Sequence, residues 1–319
     1  MGQFRLCLIV GMKKKSIFGN TLKEQLKASA RDTMHQFVLA DGAVRGALIY
    51  GTKLINEMRG NHELGVLETI ILGYGYLGGL LLSSSLKGSE RLLLEIDCDG
   101  PVGGMAVEVN SFGEVRGYIE EKNVPVAAAP ANFDISPYLG EGTLSVTRYL
   151  EKAKYPFKSR VELKKRNFAL NLAYYSLKSE QTPSSYSLSV YFDKTGNVTG
   201  AGALLVQAMP GADDELLREL ADLVTGIPSI GKEFAEGLSA EGFMLTYFSK
   251  YNPRFLHKKR VVFMCHCSKE RFKAFLYALP GNELRDMLER GPLPLRLTCY
   301  NCNTHYEFKR GDFERLPHG

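Results

Sequence analysis

The chain places four thiols in two tight pairs, 265-CHC-267 and 299-CYNC-302, separated by a spacer of 31 residues. Each pair can offer two sulfurs from a single turn. A fold that brings the pairs together surrounds one ion with four thiolates, the closed geometry of a structural zinc site. This constrains everything from residue 259 to 319, because a piece of roughly 60 residues hardly builds a core alone. A bound metal would supply much of that piece's folding free energy. Other uses of four thiols compete with this reading. A thioredoxin-like dithiol wants its first cysteine at a helix N-terminus, whereas Cys299-Tyr-Asn-Cys302 leads into the strand-like run His305–Lys309. His266 and His305 stand beside the pairs, and either is a candidate replacement for a sulfur.

Six cysteines in 319 residues are too few for a disulfide-dense secreted scaffold. The opening MGQFRLCLIVGMKKKS imitates a signal peptide, but its apolar stretch is short and basic residues follow it. Position 6 is Leu, so the Gly2 context fails the myristoylation pattern. The expectation is a cytoplasmic protein with reduced thiols. Residues 1–33 read as an N-terminal extension of uncertain order, with Met12 and Met34 as alternative starts. The net charge of +5 is mild and demands neither nucleic acid nor an anionic membrane. Much of the excess is C-terminal: from Lys250 onward there are fourteen Lys/Arg against seven Asp/Glu.

The middle of the chain predicts an α+β core domain over 34–209 that mixes helices with antiparallel sheet. A strand is expected near Val44–Tyr50, after a turn at Asp41-Gly42, and a helix after it. Two motifs then imitate function. Gly73-Tyr-Gly75-Tyr-Leu-Gly78 is a literal GxGxxG, yet hairpin-like segments follow instead of a parallel crossover. Thr69–Leu86 carries no charge, but glycines and serines dilute it, so it reads as a buried core helix and not a membrane span. Beyond Lys87 the hydrophobic period becomes two through a meander containing Cys98, a small packed side chain. Further strands are expected at 143–150, 157–163 and in the runs SYSLSVYFD and VTGAGALLVQAM. A helix spans 168–178, and Ser179-Glu180-Gln181 reads as helix capping within a buried polar network.

Pro210-Gly211 breaks this pattern and opens a helical linker, 210–258. Acidic residues begin the helix 213–224, which stripes Leu216, Leu217, Leu220, Leu223 and Val224 on one face. Ile230, Phe234 and Leu238 repeat the stripe. Helices this short fold only while docked, so Leu217, Leu220 and Phe234 are expected to form a docking surface that is sticky and open to other proteins once undocked. In the C-terminal piece, Lys258-Lys259-Arg260, Lys269 and Arg271 are expected beside the thiols, where they would favour the thiolate form.

Taken in order, these features resemble the heat-shock protein 33 family of redox-regulated holdase chaperones. The resemblance covers the chain after about residue 33. It is carried by Ala40-Asp-Gly-x-Val-Arg45, Leu86-Lys-Gly88, Asp99-Gly-Pro-x-Gly103, Val115-Arg-Gly-Tyr118, Ser179-Glu-Gln181, Ala201-Gly-Ala-Leu-Leu-Val-Gln207 and the cysteine spacing. It implies one zinc ion on Cys265, Cys267, Cys299 and Cys302 in a small redox-switch domain, 259–319. It also implies disulfides Cys265–Cys267 and Cys299–Cys302 on oxidation, with zinc loss and linker unfolding. Unfolding client proteins would then bind without ATP, and the oxidised protein would dimerise. No catalytic residues and no membrane partner are implied. The competing reading is a zinc-ribbon-type nucleic-acid-binding protein; against it, the basic residues lack an aromatic stacking platform beyond Tyr300 and Tyr306.

Overall fold

The computed structural model describes residues 12, 32–125, 134–164 and 167–313. Residues 1–11 and 13–31, on which the reading of an N-terminal extension rests, lie outside the described residues. The chain begins with strands β1 (Thr33–Leu39) and β2 (Val44–Tyr50), then helices α1 (Thr52–His62) and α2 (Val66–Leu82). A meander follows of β3 (Arg91–Cys98), β4 (Gly104–Asn110) and β5 (Glu114–Ile119). After the short α3 (Ser136–Leu139) come β6 (Gly142–Tyr149), β7 (Phe157–Glu162), α4 (Phe168–Ser179), β8 (Ser184–Phe192) and β9 (Val198–Ala208). The expected strands and helices form at these places.

Helix α2 explains both imitation motifs. It packs between the two large sheets and is buried nearly all round, as a helix apolar on every face must be. The stretch Val66–Ser85 is long and apolar enough to cross a membrane, but protein covers it. Gly75 and Gly79, four residues apart, face β4. A Cβ at Gly75 would overlap Met105, and one at Gly79 would lie 3.1 Å from Val109. The glycines therefore serve close helix-to-sheet approach and cradle no phosphate.

The meander sheet is antiparallel in the order β5-β4-β3-β6-β7. The other sheet pairs β1-β2-β9-β8, also antiparallel. Both of its faces are apolar. Met34, Ala47, Ile49 and Ala203 turn inward to the core with α2, whereas Phe37, Leu39, Val44, Leu48, Leu204 and Val206 turn outward. A naked outer face of that kind needs a cover.

The linker provides it. Helices α5 (Asp214–Gly226), α6 (Ile230–Ala235) and α7 (Ala240–Phe248) are each capped by a side chain, Asp213, Ser229 and Ser239 respectively. Their apolar faces join the outer sheet face in a second hydrophobic cluster. Leu220 and Phe234 are buried there, 1% and 3% exposed, whereas Leu217 is only half-buried. Phe234 and Ile230 lie over Gly202, where any side chain would overlap the ring. Beyond the linker helices, strand β10 (Arg254–Arg260) pairs with β1 and β11 (Val262–Phe263) pairs in parallel with β5. The 258/259 limit of the sequence reading thus falls inside β10, an edge strand of this sheet.

Glu180 takes part in the polar network expected of it. It is ion-paired to Arg148, while Tyr175 bonds Ser159 at 2.8 Å and Ser176 bonds Tyr186 at 2.7 Å.

A buried carboxyl marks the start of the core. Asp32 accepts the amide N–H of Leu54 in the first turn of α1, and its Oδ1 has no partner. Burial raises its pKa from 3.8 to about 7. The folded protein then holds a proton that the unfolded chain has released, so stability falls as pH rises across that window. The slope at its steepest is about 1.4 kcal/mol per pH unit. Asp32→Asn is expected to raise the denaturation midpoint in alkaline buffer, with the difference shrinking in mildly acidic buffer. Equal midpoints in alkaline buffer would contradict this.

Candidate metal centre

The C-terminal module consists of helices α8 (Lys269–Tyr277) and α9 (Gly281–Arg290) and the hairpin β12 (Leu295–Thr298) with β13 (His305–Phe308). The first thiol pair is fixed by its neighbours on both sides. Met264 N–H donates to Val115 O, extending the β11–β5 pairing to the residue before Cys265. Ser268, next to Cys267, caps α8 through the Arg271 amide at 3.3 Å. The second pair sits in the hairpin turn. The Cys299 N–H donates to Thr304 O, the Asn303 N–H donates back to Cys299 O at 2.7 Å, and Asn303 takes the left-handed conformation at φ 55°.

These turns bring the four sulfurs within 4.8 Å of one another, all buried. The Sγ atoms of Cys265 and Cys299 are 3.8 Å apart, and those of Cys267 and Cys302 3.3 Å. Four thiolates bonded tetrahedrally to one ion at about 2.3 Å would have edges of about 3.8 Å. The donor set therefore fits a single metal ion.

The electrostatics agree. Cys265 is held well below an ordinary thiol because Cys267, then Cys299 and Cys302, donate to it, with Arg116 adding its guanidinium. Its charge in turn pushes Cys299 and Cys302 up. Without a central cation the four cannot ionise together; with one they can. Around them, Thr304 Oγ1 lies 3.2 Å from Cys302 Sγ and Tyr306 Oη lies 3.1 Å from Cys267 Sγ.

Of the cations expected at the sulfurs, Arg271 lines a small cavity with Met264 and His266, but the lysines turn elsewhere. Lys259 turns to Ser111 O at 3.2 Å and Lys269 pairs with Asp312 at 3.0 Å. The guanidinium that reaches a thiol is Arg116 of β5, 3.6 Å from Cys265 Sγ and fixed by Glu108 at 2.6 Å. Strand pairing explains this: β11 runs parallel to β5 and delivers the chain just after Phe263 to the neighbourhood of Arg116, whereas Lys258–Arg260 lie in β10 on the other sheet. Arg116 lies within the Val115–Tyr118 motif, the only sequence signal that could have found it. His266 is exposed and bonds Glu114 at 2.7 Å, and His305 bonds Thr298 at 2.8 Å, so neither joins the sulfurs.

Core side chains also grip the second knuckle. Asn61 donates to Cys302 O at 3.2 Å and accepts from Asn303 through its own carbonyl at 3.1 Å. Lys122 donates to Asn303 Oδ1 at 2.8 Å. His62 Nε2 meets Asn301 O at 3.3 Å, and burial lowers the His62 pKa to about 4, keeping the ring neutral. Tyr306 is buried against Phe272, whereas Tyr300 touches Tyr118 and stays largely exposed, so one of the two tyrosines of the nucleic-acid reading is taken up inside the protein.

Comparison with known proteins places this architecture. The family model described as Hsp33 protein matches residues 32–309. The 33 kDa chaperonin of Desulforamulus reducens is 32% identical over 288 residues, covering 90% of this chain and 97% of that protein. The 33 kDa chaperonin of Lactobacillus delbrueckii subsp. bulgaricus is 31% identical, covering 89% and 97%. The crystal structure of the 33 kDa chaperonin from Thermotoga maritima superposes with a TM-score of 0.80 at 29% identity, covering 89% of this chain and 96% of that one.

Proposed function

The chain belongs to the Hsp33 family, a family of chaperonins and not of enzymes, and on that premise we propose that it is a redox-switched, ATP-independent holdase. The reduced form binds one zinc ion through Cys265, Cys267, Cys299 and Cys302 and is inactive. Bound zinc supplies no redox chemistry; it ties four thiolates into one closed site. One observation carries the proposal. The sulfurs that fit a single ion are in the same two turns that seat the module on Arg116, Asn61, His62 and Lys122 of the core.

Oxidation converts each short pair to a disulfide. Two thiolates lose two electrons to an oxidant such as hydrogen peroxide, which takes up two protons and leaves as two waters. A sulfur in a disulfide is no longer an anionic donor, so the site fails and the module loses its main support. In the folded site the close sulfurs lie across the pairs, Cys265 to Cys299 and Cys267 to Cys302. Once the module loosens, loop closure favours partners near in sequence, hence Cys265–Cys267 and Cys299–Cys302. Strands β10 and β11 join the linker to the module, so loosening spreads to α5–α7. That exposes the outer sheet face and the linker stripe to unfolding clients and to a second oxidised copy. A cytoplasmic setting, where thiols rest reduced, suits such a switch.

Thiol trapping and mass mapping after peroxide treatment test the chemistry. The expected result is one zinc released per chain and the two short-range disulfides; a dominant Cys265–Cys299 bond would sink the pairing. Arg116→Gln gives a second check. It removes a donor beside a site whose four thiolates and one divalent ion sum to two negative charges. Zinc affinity in a chelator competition is expected to fall roughly 10- to 100-fold. Unchanged affinity would leave Arg116 a docking residue alone.

A further inference from the structure

Three of the motifs that carry the family resemblance are unused by the metal centre, and they converge on one cleft. Arg45, Lys87 and Gln207 line a cavity of about 520 Å³ together with His257 and Lys259 of β10. Strand register puts Arg45, Gln207, His257 and Lys259 on the sheet face that elsewhere carries Met34, Ala47 and Ile49 against α2. Helix α2 stops at Leu82, so this end of the inward face is left uncovered. Cations in place of apolar residues on that face call for a reason.

The site is built and held. Gln36 donates to Ser84 O, Ser111 donates to Gly88 O, and Lys259 donates to Ser111 O at 3.2 Å, which ties the loop after α2 to both sheets. Gln207 accepts from Arg45 Nε at 2.7 Å and donates to Ser184, which fixes the guanidinium and leaves its outer nitrogens available. Among the described residues no carboxylate lines the cavity, and none pairs with Arg45, Lys87 or Lys259. Burial holds the Lys259 ammonium below its ordinary pKa, and beyond the Ser111 carbonyl no carboxylate of the cavity offsets the cost of that charge. Ser84, Ser85 and Ser111 line the cavity together with the cations, and Leu86, Leu205 and Leu256 add an apolar wall.

We propose that this cleft binds a small phosphate-bearing molecule, its phosphate held by Arg45, Lys87 and Lys259 and its organic part against the leucine wall. A planar guanidinium beside ammonium groups and hydroxyls matches a tetrahedral dianion with several acceptor oxygens. The cavity exceeds the size of the free anion, which favours a phosphate ester. A bound phosphate bridges β10 to the loop after α2, so it also steadies the strand that leads to Cys265.

Isothermal titration of the full reduced chain with phenyl phosphate, and separately with inorganic phosphate, tests this. Saturable 1:1 binding is expected, with slower amide exchange in Phe255–Lys259. Tighter binding of phenyl phosphate assigns the site to an organic phosphate, and equal binding assigns it to the free anion. The exposed Lys87→Ala change should weaken binding about tenfold or more without affecting folding, and Arg45→Gln similarly. Absence of saturable binding by either ligand, or wild-type binding by the folded Lys87→Ala, Arg45→Gln double variant, would overturn the proposal.

Discussion

Replacing Cys299 and Cys302 together by serine is expected to unfold the module after Cys265 while both large sheets stay folded. The module's own core is small: among the described residues, Leu276, Leu284, Leu288, Tyr306, Phe308 and Phe313 are its buried apolar side chains outside the cysteines. Structural zinc in peptides of this kind is worth about 10–16 kcal/mol, more than such a core supplies. The paired sheets have a far larger buried core, with Leu92, Leu94, Val107 and Leu144 fully enclosed. Amide exchange should therefore become fast across α8, α9 and the β12–β13 hairpin and remain slow in β3, β4 and β9. The zinc content should drop from one per chain to none. The variant should also suppress aggregation of an unfolding protein in reducing buffer, because loss of the site stands in for oxidation. Retained protection across the hairpin would show that the module holds without metal and would break the link from thiols to unfolding.

The second large effect belongs to the linker. Phe234→Asp places a carboxylate over Gly202 and among Tyr50 and Phe243, whose rings lie 4.9 and 5.9 Å from the phenylalanine ring. Truncating a buried Phe alone costs about 3–5 kcal/mol, and an unpartnered charge adds to that. Leu220→Asp should be comparable, since that side chain is equally enclosed. Leu217→Asp should do much less, because Leu217 is half-buried on the rim of the groove between α5 and α4. The expected readout is raised client binding by the reduced protein in the order Phe234 and Leu220 well above Leu217. Reduced-state activity unchanged in all three would count against the docked linker as the restraint.

Much of this was legible because it is local. The cysteine spacing, the acidic cap at Asp213, the stripe Leu220–Val224 and the uncharged run 69–86 each state their structure within a few residues. What escaped depends on distant pairing. Strand β10 looks like a basic surface segment until β1, more than two hundred residues earlier, supplies its partner. Arg116 is an ordinary alternating residue of a meander until the parallel addition of β11 brings Cys265 beside it. Asn61 and His62 resemble a polar helix end until the seated knuckle of Asn301–Asn303 bonds to both. The basic residues near the thiols misled for the same reason: closeness in sequence was read as closeness in space, while strand direction carried Lys258–Arg260 to another sheet.

The central claim is that the thiol site restrains a holdase. It is tested most directly by light scattering from a heat-unfolding protein, with the chain added either zinc-loaded and reduced or oxidised and zinc-free. The account predicts suppression of scattering by the oxidised form and little by the reduced form. Equal behaviour of the two forms, whether both suppress or neither does, would contradict it.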